Sequence, residues 1–377
     1  MEIFRNAMVS ATERLYYARQ CLLPQIGTEG QMRLHRARVL VVGAGGLGCP
    51  VLLYLATAGV GHIGIADGDA VALHNLHRQV LYRYANVGQP KAVVAAALLK
   101  EHNPFVKVAV FNEFLTPQNA QQIVADYDLV IDCTDRFDAR YLINDVCTVM
   151  GKPFIYGAIH RFEGHVSVFN LHANSPTYRC LFPEPPAAGT VQNCAQAGVM
   201  GTTAGLIGLY QANEAIKVIT QAGQILDGKL LIVDLLTNRQ HIFSLPRQTN
   251  KNQIRIQEQY PTDYQPNNCS SMLAISPHEL YAQLQKGHHY FLLDVREPEE
   301  FQICHIGGSV LIPMHEVPAR VHELPQDTDI VVICHHGIRS AHIINYLEAV
   351  GHRARMYNLE GGLDAWAREV DPSMPTY

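Results

Sequence analysis

Val39-Leu40-Val41-Val42-Gly43-Ala44-Gly45-Gly46-Leu47-Gly48 decides the fold, read together with the apolar run Pro50 to Ala58 and the Gly59 that follows. Four consecutive apolar residues, three of them β-branched, predict a strand buried on both faces. The glycine-rich turn after it gives way to a helix, with proline tolerated in the first turn and Gly59 as the stop. Strand, glycine turn and helix form the opening of a βαβ unit. Ile63-Gly64-Ile65-Ala66 predicts the next strand, ending at Asp67, and Leu129-Val130-Ile131 a later one, running into Asp132-Cys133-Thr134-Asp135. This alternation continues from about Arg38 to Leu245 and predicts an α/β fold, a Rossmann-like, mostly parallel sheet.

The rest of the chain fits a second domain. At 377 residues the protein exceeds what one core usually serves. Between residues 246 and 272 Gln, Asn, Pro and Thr dominate, and we expect a linker there. A second α/β pattern fills 273–377, which puts the first domain at 1–245. Hydrophobic residues are 48% and charged residues 17%, as in a globular enzyme. The formal charge of −5, from 29 basic and 34 acidic side chains, argues against nucleic acid and anionic membrane as partners. The longest apolar runs are strand-sized, far short of the roughly 20 residues a bilayer needs. The nine cysteines form no CxxC pair, and residues 1–19 contain no apolar signal core; a reducing, cytoplasmic setting is the expectation.

The turn Gly43, Gly45, Gly46 and Gly48 sits where bare backbone N–H groups and a helix N-terminus meet phosphate. Asp67 ends the next strand, where a ribose hydroxyl would be bonded. Alone, these features fit a nicotinamide dehydrogenase equally well. Asp67-Gly68-Asp69, Asn75-Leu76-His77-Arg78-Gln79 and Gly88-Gln89-Pro90-Lys91 then add a paired acid and two cations. Hydride transfer needs no such cluster. Displacement of pyrophosphate from ATP does, with cations on the departing phosphates and a carboxylate for Mg²⁺.

With these motifs in register from about Glu13 to Leu245, the sequence resembles the ubiquitin-activating superfamily in its MoeB/ThiF branch. The resemblance implies adenylation of the Gly-Gly tail of a small ubiquitin-like carrier, with ATP and Mg²⁺. By matching position, Asp67 and Asp69 lie at the ribose and metal end, Asn75, Arg78 and Lys91 around the phosphates, and Asp135 on magnesium. Arg19 matches an arginine that reaches into a partner subunit's site, which implies a homodimer. Cys194, in a stretch of loop composition, matches a cysteine that attacks the acyl-adenylate in many relatives; the plain alternative is a small core residue. The family's two zinc-holding CxxC pairs are reduced here to Thr177-Tyr178-Arg179-Cys180 and nothing at 247–258, so no zinc is expected. Packing is then expected to hold that corner.

Downstream, Leu292 to Phe301 contains Asp294-Val295-Arg296-Glu297-Pro298, and strand Ile330 to Ile333 delivers Cys334-His335-His336-Gly337-Ile338-Arg339-Ser340. A cysteine in a loop of backbone N–H groups at a helix start favours anionic sulfur, and Arg339 is expected to strengthen that preference. From about Ile275 to Arg368 this resembles the rhodanese family, which implies a persulfide on Cys334 supplied by a donor such as a cysteine desulfurase. The combined reading is adenylation of a sulfur-carrier protein followed by sulfur transfer to a thiocarboxylate. Two alternatives stay open: protein conjugation through a Cys194 thioester, and a nicotinamide oxidoreductase with an appended rhodanese module. Molybdenum cofactor, thiamine, cysteine and tRNA-thiolation carriers all fit.

Overall fold

A computed structural model describes residues 10–185, 198–245, 251–260, 273–335 and 337–375. The chain divides into two compact units, 1–264 and 265–377. Among the described residues no helix is long and apolar enough to cross a membrane.

In the first unit, the predicted central strand is β1 (Arg38–Val42). Its neighbours are β2 (His62–Ala66) on one side and β4 (Leu129–Asp132) on the other, both parallel to it. Strand β3 (Lys107–Phe111) adds outside β2 and β5 (Phe154–His160) outside β4, again parallel. Strands β6 (Glu163–Phe169), β7 (Lys229–Asp234) and β8 (Arg239–Ser244) extend the sheet antiparallel, giving the order β3-β2-β1-β4-β5-β6-β7-β8.

Helix α1 (Gly27–Arg36) precedes β1, and α2 (Gly48–Ala58) follows it. Then come α3 (Lys91–His102), α4 (Ala120–Ala125), α5 (Phe137–Val149) and α6 (Gly201–Thr220). Side chains of β1 alternate between two cores. Val39 and Val41 pack with α2, α3 and α6, while Leu40 and Val42 pack with α4 and α5. Each fully buried Val or Leu contributes about 1.5–3 kcal/mol against exposure, so a strand apolar at every position is held from both sides. Helix α2 begins at Gly48, two residues before the expected Pro50. N–H groups of the first turn have no intrahelical acceptor, so a proline there removes no bond. Gly59 caps it in the left-handed conformation, at φ 88°.

Composition assigned 246–272 to a linker, but residues 251–260 pack on the first unit. Ile254 and Tyr260 are buried there. Lys251 Nζ donates to Asn170 Oδ1 at 2.7 Å, and the Tyr260 hydroxyl donates to Asp145 Oδ2 at 2.9 Å. Three apolar residues, Ile254, Ile256 and Tyr260, among polar neighbours carry too little periodicity to stand out in the sequence.

The second unit is a five-stranded parallel sheet in the order β11-β10-β12-β13-β9. Its strands are β9 (Leu273–Ile275), β10 (Phe291–Asp294), β11 (Val310–Leu311), β12 (Ile330–Ile333) and β13 (Met356–Leu359). Helices α7 (Pro277–Gln285), α8 (Pro298–Ile303), α9 (Ile338–Ala349) and α10 (Gly362–Glu369) cover it. Cys334 follows β12 directly and α9 starts at Ile338.

Candidate active site

In the first unit, strand order reverses beside β1, with β2 leaving to one side and β4 to the other. Open parallel sheets bind ligands at such a switch point, outside the carboxyl ends of the strands. The chain segments leaving β1, β2 and β4 meet there around a cavity of about 560 Å³, lined by Gly43, Asp67 and Asp135 among others. That volume lies within the roughly 300–1,000 Å³ usual for small-ligand sites.

The glycines divide by role. Gly43 has φ 93°, and a Cβ there would lie 2.7 Å from the Cys133 carbonyl oxygen. A Cβ on Gly48 would lie 2.1 Å from the Gly43 carbonyl oxygen. Both are demanded by backbone packing, and Gly48 is not on the cavity wall. Gly45 and Gly46 are on it, and a Cβ on Gly45 would meet only the Gln79 Nε2, at 3.5 Å.

Asp67 pins this turn. Its carboxylate accepts the Ala44 N–H at 2.7 Å and the Asp69 N–H at 2.8 Å. Burial pushes the carboxyl above its ordinary range, opposed by the Ala44 hydrogen bond and by Lys91. Each oxygen keeps acceptor capacity for a further donor such as a ribose hydroxyl. Lys91, buried at the start of α3, holds Asp69 Oδ2 at 2.9 Å. Arg78 lines the cavity and donates to Asn75 Oδ1 at 2.8 Å. Asn75 itself is buried off the cavity wall; it orients Arg78, where the sequence placed it at the phosphates. Asp135 is an exposed carboxylate on the cavity rim. Arg19 is exposed on the short turn Ala18–Cys21 and does not line the cavity of its own chain.

Four polar cavity residues to which the sequence reading gave no role stand out. Gln79 is buried, and among the described residues its Oε1 has no hydrogen-bond partner, a polar atom that a ligand donor would satisfy. Arg140 lies on the cavity floor, paired to the fully buried Asp132 at 3.0 Å, over the Tyr156 ring at 4.9 Å. His165 and Glu163, two residues apart on β6, share a 3.0 Å contact on the wall. Burial lowers His165 below its ordinary range, partly offset by Glu163. The Asp132-Cys133-Thr134-Asp135 motif followed by Arg140 was the available hint. The two β6 residues gave none.

The corner around Cys180 is held by more than packing. Cys180 is buried, with its Sγ accepting the Thr177 N–H at 3.3 Å. Beside it Asp145 takes a bidentate pair from Arg179, at 2.7 and 2.8 Å, as well as the Tyr260 hydroxyl. Among the described residues no group of three or more His, Cys, Asp or Glu side chains is gathered as metal ligands. Magnesium bound through phosphates asks for only one or two carboxylates, and Asp135 and Asp69 fit that need. Cys194 lies outside the described residues.

In the second unit Cys334 is buried at the carboxyl end of β12. Its Sγ accepts the Gly337 N–H at 3.1 Å and lies 3.3 Å from Ser340 Oγ. The loop's path is fixed by main-chain bonds from α10: Leu363 N–H donates to the Cys334 carbonyl at 2.9 Å and Asp364 N–H to that of His335 at 3.0 Å. Gly361 and Gly362 have φ 66° and 63°, and a Cβ on Gly362 would lie 2.4 Å from both carbonyl oxygens. From the sequence, Arg339 is expected to strengthen the preference for anionic sulfur. Instead it forms a bidentate pair with Glu300, at 2.6 Å to each oxygen, so its charge is compensated. Beneath, Asp294 and Arg296 form a fully buried pair at 2.7 Å.

The ThiF family matches residues 17–255 and the rhodanese-like domain residues 276–369. The chain is 39% identical over 379 residues to the probable adenylyltransferase/sulfurtransferase MoeZ of Mycobacterium tuberculosis, covering 98% of this chain and 96% of that one. It is 36% identical over 407 residues to the adenylyltransferase and sulfurtransferase MOCS3 of Sus scrofa, with 99% and 89% covered. Among solved structures, PaaA superposes with a TM-score of 0.56 at 26% identity, over 64% of this chain and 76% of PaaA. E. coli MccB shares the fold, with a TM-score of 0.53 at 21% identity, over 58% and 67% of the two chains. The chain therefore belongs to the ThiF family, in its two-domain adenylyltransferase/sulfurtransferase branch that ends in a rhodanese-like domain.

Proposed function

We propose that the protein adenylates the C-terminal glycine of a small ubiquitin-like sulfur carrier and converts it to a thiocarboxylate with sulfur carried on Cys334. The observation that carries this reading is the cavity at the switch point. It gathers the glycine turn, Asp67, the Lys91–Asp69 pair, Arg78 and Asp135, in a chain that also has Cys334 in an anion-accepting loop.

ATP lies with its phosphates toward Gly45, Gly46, Arg78 and Lys91 and its ribose toward Asp67. Asp135 and Asp69 would hold Mg²⁺, which neutralises phosphate charge. The carrier's carboxylate oxygen attacks the α-phosphorus, the bond to the bridging oxygen breaks, and pyrophosphate leaves with its charge met by Lys91 and Arg78. Arg19 of a second copy completes the site in a homodimer.

A donor such as a cysteine desulfurase loads Cys334 as a persulfide. Its terminal sulfur attacks the acyl carbon, expelling AMP and leaving an acyl-disulfide on Cys334. The Cys194 thiolate then attacks the Cys334 sulfur. The carrier departs as a thiocarboxylate, and a Cys194–Cys334 disulfide is left for a thiol reductant to reopen. Joining both domains in one chain raises the local concentration of persulfide at the adenylate. The ThiF match over 17–255 argues against the nicotinamide reading.

Intact-mass spectrometry of Gly-Gly-tailed carriers, incubated with the protein, Mg·ATP and a persulfide donor, tests the proposal. Exchange of one oxygen for sulfur on the carrier is the expected result. An AMP adduct without sulfur, or full thiocarboxylate yield from the Cys334→Ala protein, overturns the role of Cys334. Transfer of the carrier to lysines would replace the reading with conjugation.

A further inference from the structure

We propose that His165 determines specificity at the acyl end of the cavity, its Nδ1 accepting a backbone N–H of the carrier's extended tail. The inference rests on the adenylation reading and deepens it, by giving the tail a place and a contact.

Along the carboxyl edge of the parallel strands the order is β2, β1, β4, β5 and then β6. Strand β6 runs antiparallel, so its first residues, Glu163 to His165, lie at that same edge. Asp67 follows β2 and the glycine turn follows β1, so ribose and phosphates take that end of the cavity. The β5–β6 end is left for the acyl group. Neighbouring strands are about 4.8 Å apart, so β6 stands roughly 14 Å from β1, about four residues of extended peptide. Tyr156, Tyr178 and Phe182 wall this end together with His165. A glycine tail has no side chain to read. Its main-chain groups are what a wall can recognise, and each N–H taken out of water needs an acceptor.

His165 supplies one. Its neighbours across the sheet are apolar, Ala158 on β5 and Ile232 on β7. Its Nε2 lies 3.0 Å from Glu163 Oε1, and a carboxylate only accepts, so Nε2 carries the proton. The other charged or titratable groups around the pair are His160 and Asp234, opposite Glu163 on β5 and β7, and Arg140 of α5, which is matched by Asp132. Burial lowers His165 below its ordinary range; Glu163 opposes this and Arg140 adds to it. The ring is therefore neutral near neutral pH, and Nδ1 keeps a lone pair. Among the described residues that nitrogen has no hydrogen-bond partner. A neutral acceptor suits the place: a carboxylate would also take the N–H but would repel the tail's own carboxylate and the adenylate phosphate.

The test uses adenylate mimics in which acetyl-tetraglycine is joined to adenosine through a sulfamate, bound to the full-length protein in a calorimeter. Four further mimics each carry sarcosine in place of one glycine, exchanging a single N–H for N–CH₃. One of the four is expected to bind about tenfold more weakly than the parent, as loss of one hydrogen bond implies. His165→Ala binds the parent about tenfold more weakly and no longer distinguishes that sarcosine. His165→Asn, whose Oδ1 stands near the place of Nδ1, keeps the distinction. Sulfamoyladenosine without a tail binds all three proteins alike, which a general loss of structure would not allow. Sarcosine penalties that are the same in His165→Ala as in the wild type overturn the proposal, as does a wild type that tolerates all four. If His165→Ala fails to fold, loss of the distinction in His165→Asn is sufficient to overturn it. Binding that ignores His165 refutes this inference alone. Failure of every mimic to bind, the tailless one included, refutes the adenylation reading and this inference with it.

Discussion

Removing one member of the Asp294–Arg296 pair should destabilise the second unit selectively. Both side chains are fully buried, and Arg296 also donates to the carbonyls of Cys304 at 2.7 Å and Glu300 at 3.2 Å. Asp294→Ala leaves a dry guanidinium with its charge unmatched, a change that costs about 3–5 kcal/mol. Domains are stable by only about 5–15 kcal/mol, so a large share of the margin of this unit would go. The molecule has its own reporter: Trp366, buried in the second unit, is the single tryptophan of the chain. Its fluorescence in urea follows that unit alone. With a slope of roughly 1.5 kcal/mol per molar, the midpoint should fall by about 2–3 M. Replacing both partners by Leu and Met should recover much of the loss, because no lone charge remains. A shift below about 0.5 M for Asp294→Ala would show that water reaches the pair and refute the reasoning.

Other outcomes follow from the first unit. Gly48→Ala should abolish nucleotide binding and destabilise the unit, since its Cβ would fall 2.1 Å from a carbonyl oxygen; Gly45→Ala should weaken binding with little change in melting temperature. Lys91→Ala should lower carrier-dependent ATP–pyrophosphate exchange by about 10²-fold or more, the scale of a lost transition-state cation. Burial lowers His165 from 6.5, so the folded state prefers its neutral ring. That stabilisation is complete above pH 6.5 and is lost as pH falls below it, and His165→Asn should flatten the acid limb of melting temperature against pH. Tyr260→Phe removes a donor to buried Asp145, and thermal unfolding should show a loss of about 1–2 kcal/mol.

What the sequence disclosed was local. The β1 run, the glycine turn and the Gly59 stop are each set by neighbouring residues, and their places in the structure differ by two residues at most. The topology then brought the glycine turn, Asp67 and the Asp132–Asp135 stretch together because each ends a strand flanking the switch point. What stayed hidden depends on partners far along the chain. Arg339 reads as a free cation until Glu300, 39 residues earlier, is folded against it. Asn75 reads as a phosphate ligand, yet it is buried holding Arg78. Gln79 and Arg140 look like ordinary helix or turn polar residues until the sheet encloses them. Tyr260 looks like linker until Asp145 is seen to need its hydroxyl.

The loop around Cys334 separates its frame from its rim. Main-chain bonds from α10 and the two left-handed glycines set the path of the backbone, and none of these depends on the side chain at position 335. Substitutions at that position therefore leave these main-chain bonds available to hold the loop. The cradle is thus written in backbone geometry, and its shape is tied to Gly361 and Gly362 more than to the identity of the loop's side chains.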